Sequence, residues 1–187
     1  MDVSEAQREV RTVYMGGFMG QLVSGMLWLG SAAAATYATP RTAILLLIVG
    51  GFFIFPLTTL GLRLLGRPWK LGAANPFSGL GMQVAFVLPL CLPVVAAVGI
   101  HHLDWFYPAF MVVLGAHYLP FIFLYGMPMF GGLSFVLVGS GIALAHRVGG
   151  SFAGPAWITG GLLLVFAVLG LVLVRREQAS RAGVQSQ

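Results

Sequence analysis

Five uninterrupted stretches without a charged residue, 12–40, 42–62, 71–103, 105–146 and 148–174, take up most of this 187-residue chain. A soluble domain cannot be built that way, because its surface needs charge at roughly every fourth position. Only 8% of the residues are charged and 58% are hydrophobic, so the surface must meet lipid. Four of the stretches fit one spanning helix each. The stretch 105–146 is too long for one: as a single helix it would run about 63 Å, and it holds Gly126-Met127-Pro128 at its middle.

The sequence therefore predicts an all-α, polytopic transmembrane helix bundle: a single domain over 1–187 with short loops. Its six spans are expected at about 13–38, 42–65, 79–100, 105–125, 128–146 and 155–174. Residues 1–12 and 175–187 are read as cytoplasmic tails. With six spans, Arg8, Arg11, Arg63, Arg67, Lys70, Arg175, Arg176 and Arg181 share the side of the termini, and only Arg41 and Arg147 fall opposite. That asymmetry places both termini inside and the protein in the cell (inner) membrane, with anionic headgroups at the inner face as partners. Trp69 fits the inner boundary, and Trp105 and Trp157 the outer one. The net charge of +5 is thus spent on lipid and implies no nucleic acid. A homo-oligomer or a membrane-protein partner stays open.

At the N-terminus, Ser4-Glu5-Ala6-Gln7 has capping-box spacing and predicts a helix start. The apolar run from Val13 exceeds the core of a signal peptide and is expected to be an anchored first span. Gly16, Gly20 and Ser24 recur every four residues, as do Gly139 and Ala143, and predict close helix packing within the molecule. Pro56, Pro89, Pro93 and Pro120 fall inside spans and free carbonyls four residues back.

Chemistry-bearing residues are few. The acids Asp2, Glu5, Glu9, Asp104 and Glu177 all lie outside the spans, which excludes carboxylate relays through the membrane and paired-carboxylate catalysis. Cys91 has no second cysteine, so CxxC redox chemistry is excluded. The pattern of an intramembrane rhomboid-type serine protease also fails, for no Gly-x-Ser-Gly segment is present. No catalytic residue is assigned and no cofactor is expected.

What remains is His117, deep in the fourth span and three residues before Pro120. It reads either as part of a ligand site or as a neutral core histidine bonded to a freed carbonyl or a hydroxyl. Tyr107, Tyr118 and Tyr125 fall on one stripe of that helix; interfacial belts account for Tyr107 and Tyr125, leaving Tyr118 to find a buried partner. Gln21 and Gln83 are the expected partners for Tyr118 or His117. The candidate ligand site is therefore His117, Tyr118, Gln21, Gln83 and Tyr125. On the outer face, His101, His102, Asp104 and His146 form a second polar cluster, read chiefly as solvated loop residues, with metal binding left undecided.

The segment Gly115-Ala116-His117-Tyr118-Leu119-Pro120-Phe121, followed by Leu124-Tyr125-Gly126-Met127, resembles an uncharacterised bacterial family of small multi-pass membrane proteins. The resemblance implies a membrane bundle and carries over no activity. The functional expectation is a small carrier or binding protein for a neutral or lipidic ligand at a mid-membrane pocket. Its alternatives are a membrane enzyme using histidine or metal chemistry on a lipid-soluble substrate, and an accessory bundle for another membrane protein.

Overall fold

The computed structural model describes residues 1–147 and 150–185, apart from the side chains of 184 and 185, and the described residues fold into helices joined by short turns. These are α1 (Val3–Val13), α2 (Phe18–Tyr37), α3 (Pro40–Gly51), α4 (Ile54–Leu64), α5 (Phe77–His101), α6 (Phe106–Tyr125), α7 (Met129–Ala145) and α8 (Gly154–Gln185).

Helices α2, α5, α6 and α8 are long and apolar enough to cross a membrane, and α3 with α4 makes a fifth if the bent pair counts as one. The bundle is as apolar outside as inside: Ile100, Phe135 and Leu90 are 81%, 80% and 74% exposed. Of the 25 residues of α5 only Phe77, Val84 and Val95 are buried. In water so large an apolar surface would aggregate; against lipid it costs nothing.

Several boundaries depart from the expected spans. The first expected span, 13–38, is broken at Met15–Gly17, where three consecutive residues take positive φ of 52°, 65° and 83°. Gly16 and Gly17 reach that region without a Cβ penalty and let α1 fold back under the bundle. Residues 1–12 are accordingly no free tail: Ala6 and Val10 are buried in the core. The capping box is also displaced. Asp2 rather than Ser4 caps α1, accepting from the Glu5 amide at 2.8 Å while Glu5 accepts from the Asp2 amide. Aspartate caps as well as serine, and the Ser4 hydroxyl is turned to the Asp2 carboxylate, which leaves Gln7 free to donate to the Phe123 carbonyl at 2.6 Å.

The expected span 42–65 is two helices bent by 58°, since Gly50-Gly51 weakens the turn and Pro56 cannot donate across it. Pro89, Pro93 and Pro120, by contrast, sit within continuous helices. Gly126, with φ of 62°, ends α6. The expected tail from 175 is helical to Gln185, so α8 runs on well past its apolar part.

Packing divides the bundle into a centre and two flanks. Helices α2, α6, α7 and α8 form the centre; α3 and α4 lean on α2, α5 leans on α6, and the two flanks scarcely touch each other. The small-residue stripes predicted from spacing are only partly the ones used. Gly16 meets Gly170, and Gly25 meets Gly160 and Leu164, to bring α2 against α8, while Gly115 and Gly141 bring α6 against α7. Gly20 and Ser24 face the gap between the flanks, and Gly139 points into open space.

Candidate functional site

The gap between the flanks is a groove of about 430 Å³, within the roughly 300–1,000 Å³ usual for small-molecule sites. Its back is α2 and α6, with Phe130 of α7 beneath. Its sides are α3 and α4 on the left and α5 on the right. The sequence creates this room just before and along α2, where Gly17, Gly20 and Ser24 present almost no side chain to it. The mouth opens sideways between Phe52 and Phe55 on one flank and Met82 and Phe86 on the other, each more than half exposed.

Aromatic contacts close both ends. At one end Trp28 packs against Tyr107 and Phe110 with ring centroids 5.8 and 5.1 Å apart. Behind them the Tyr107 hydroxyl pairs with Ser31 Oγ at 2.6 Å, and Ser31 donates to the Ala43 carbonyl, tying α6, α2 and α3 together. At the other end Tyr125 stacks on Phe121 and Tyr118 on Phe130, with Tyr14 beside them.

Polar groups line the interior. Gln21 is 2% exposed, and neither its amide nitrogen nor its carbonyl oxygen has a hydrogen-bond partner in the protein, although the Tyr118 hydroxyl lies alongside. Thr58 Oγ1 and His117 Nδ1 are likewise buried and unpaired. The His117 ring packs on Tyr118 and Phe121 and faces the backbone of Val84 on α5. These three side chains come from α2, α4 and α6, helices far apart in sequence, yet all line one groove. Among the described residues no Lys, Arg, Asp or Glu lines it.

Of the residues singled out from sequence, His117, Tyr118, Gln21 and Tyr125 thus converge. Gln83 does not: it sits on the exposed face of α5, one residue off the turn that carries Met82 and Ala85 into the groove. The placement of Tyr107 and Tyr125 in interfacial belts also needs correction, for both are buried, at 0% and 6% exposure. Nor is His117 bonded to the carbonyl freed by Pro120: its ring faces the backbone of Val84, and its Nδ1 makes no well-formed hydrogen bond among the described residues. Thr58 and Trp28 were not singled out. The one signal for Thr58 was a hydroxyl in an apolar run two residues after Pro56.

Of the second polar cluster, His102 and His146 flank Trp105, with ring centroids 5.5 and 6.4 Å from it. His146 Nδ1 pairs with the Ile142 carbonyl of its own helix. Among the described residues no three His, Cys, Asp or Glu side chains converge, and Cys91 is a free, half-buried thiol.

Helix α1 covers the groove end nearest Tyr14. Glu9 accepts from the Gly72 amide and from Asn75, Arg11 pairs with Glu177 of α8 and donates to the Tyr125 carbonyl, and Gln7 holds Phe123. Those contacts to the Gly72 amide and Asn75 hold the Glu9 carboxyl below the usual glutamate range.

The profile of a family of unknown function, DUF7010, matches residues 3–176, which takes in every helix that builds the groove. No curated protein and no solved structure matches the chain.

Proposed function

We propose, on the premise that this chain belongs to that family of unknown function and is to be read from its own geometry, that it is a small membrane carrier or binding protein for a neutral or lipidic ligand. The observation that carries the reading is the convergence of Gln21, Thr58 and His117, each with unpaired buried atoms, in one laterally open apolar groove. A buried polar atom without a partner costs about 1–3 kcal/mol. Three such groups in one place are sustained by a ligand that pairs with them.

In this reading the protein crosses the inner membrane six times, through α2, the bent pair α3 and α4, α5, α6, α7 and α8. Helix α7, with 17 residues, rises about 25 Å and sits at the short end of spanning helices. The eight basic residues on the α1 side face the cytoplasm and its anionic headgroups. Gln21 lies about 4.5 Å along α2 from its start and His117 about 12 Å from the end of α6, so the polar part of the groove lies in the inner half of the bilayer.

Lipid analysis of the purified protein tests this. Wild-type protein should carry a neutral amphiphile enriched over the surrounding membrane. Gly20→Leu, which fills the groove at a position where an added Cβ would meet only Thr58 Oγ1 at 4.0 Å, should lose it. Equal lipid content in both proteins would sink the proposal.

A further inference from the structure

The lining of the groove narrows what it takes, and the narrowing rests on the binding reading above. A carboxylate or phosphate head would need a cation and an ammonium head an anion, and among the described residues no Lys, Arg, Asp or Glu lines the cavity. Gln21 offers two N–H donors and one carbonyl acceptor, Thr58 a hydroxyl that does either, and His117 Nδ1 one further donor or acceptor. Nearby, Pro89 removes the amide that would otherwise bond the Ala85 carbonyl, and Pro89 and Ala85 both line the groove. Such a set suits a small uncharged head bearing a hydroxyl or carbonyl oxygen.

The rest of the lining is apolar. Beyond the polar side chains it runs past Leu47, Ile48, Leu88 and Leu92 to Trp28, which stands seven residues, about 10 Å, along α2 from Gln21. The side between Phe55 and Phe86 is open along this run. We infer that the groove binds a single-chain amphiphile with an uncharged hydroxyl or carbonyl head. The head docks among Gln21, Thr58 and His117 and the chain lies along the groove toward Trp28, entering sideways from the inner leaflet.

The reporter is built in, because among the described residues Trp28 is the one tryptophan that lines the groove. In a protein with Trp69, Trp105 and Trp157 replaced by Phe, held in unbrominated nanodiscs, 9,10-dibromooctadecanol should quench Trp28 saturably. The matching dibromooctadecanoic acid, ionised at neutral pH, should bind at least tenfold more weakly. Gln21→Leu should weaken alcohol binding at least tenfold and the near-isosteric Thr58→Val severalfold, each in protein that remains monodisperse. If acid and alcohol bind alike, or if neither variant weakens the alcohol, the assigned head class is wrong while the groove still binds lipid. If neither compound quenches Trp28 beyond brominated bulk lipid, the binding reading falls as well. If Phe55→Cys in a Cys91→Ser background cross-links into a dimer that excludes the alcohol, a second copy occupies the mouth and the inference is overturned.

Discussion

Arg11 and Glu177, 166 residues apart, meet in a two-pronged ion pair, Nε to Oε2 at 2.7 Å and Nη2 to Oε1 at 2.8 Å. The pair pins α1 to the extension of α8, and Arg11 also donates to the carbonyl of Tyr125, which lines the groove. With side chains 15% and 30% exposed, it is less screened than a surface pair. Arg11→Leu should cost about 1–2 kcal/mol, read as a lower midpoint in thermal unfolding in detergent. The exchange Arg11→Glu with Glu177→Arg should recover part of that loss; no recovery would mean that Arg11 acts through Tyr125 alone.

The second tether of α1 is pH-dependent. Hydrogen bonds from the Gly72 amide and Asn75 hold the Glu9 carboxyl below its ordinary value of 4.5. A group depressed on folding contributes fully above its unfolded pKa and loses that contribution as pH falls through the folded one. Attachment of α1 should therefore be unchanged from neutral pH to about 5 and weaken below about 4.5. Acid-protease cleavage at Met15–Gly17 should rise below that point in wild type, and Glu9→Gln should cleave readily at every pH.

Both termini on the cytoplasmic side is a prediction that separates six crossings from five. A fluorescent protein fused after Gln187 should fluoresce, and alkaline phosphatase at the same point should stay inactive. Phosphatase inserted after Ser151 should be active. The opposite pattern would remove one crossing, either α7 or the bent pair α3 and α4.

How much of this was legible in the residues differs by element. Charge scarcity alone gives a helical bundle with apolar helices, because no other surface tolerates Leu90 or Phe135 outside. Helix ends written in local chemistry, such as Gly126 after α6, are also readable. The break at Met15–Gly17 was hidden because a glycine pair inside an apolar run fits a packed span as well as a reversal. For the site, His117, Tyr118 and Gln21 stood out as polar residues in apolar spans. Which side of a helix each faces depends on neighbours distant in the chain: Gln83 and Gln21 look alike in sequence, and only the lean of α5 on α6 puts one outside.

Glycine should behave oppositely at two positions. A Cβ on Gly170 would stand 2.5 Å from the Gly16 carbonyl oxygen, a backbone atom that cannot rotate away, whereas one on Gly139 would meet nothing within 4 Å. Gly170→Ala should destabilise by about 1–3 kcal/mol through forced separation of α8 from α2. Gly139→Ala, in a helix interior, should be neutral or gain up to about 1 kcal/mol. Unfolding midpoints of the two single variants decide it; similar midpoints would mean that the Gly16 contact does not set the α2 to α8 distance.

Gln21 should separate stability from binding. Its buried amide makes no well-formed hydrogen bond, with only the Tyr118 hydroxyl alongside, so the ligand-free fold bears most of the desolvation of a donor and an acceptor. Gln21→Leu removes that cost at similar volume and should raise the unfolding midpoint of lipid-stripped protein, by about 1–3 kcal/mol in stability. Ligand addition stabilises any protein that binds it only when folded, so octadecanol should raise the wild-type midpoint and raise that of the variant far less. A residue retained for packing predicts the reverse, a lower midpoint for Gln21→Leu with or without the alcohol. Thermal unfolding of both proteins, each with and without octadecanol, distinguishes the two, and a destabilised variant that still responds to the alcohol would remove Gln21 from the site.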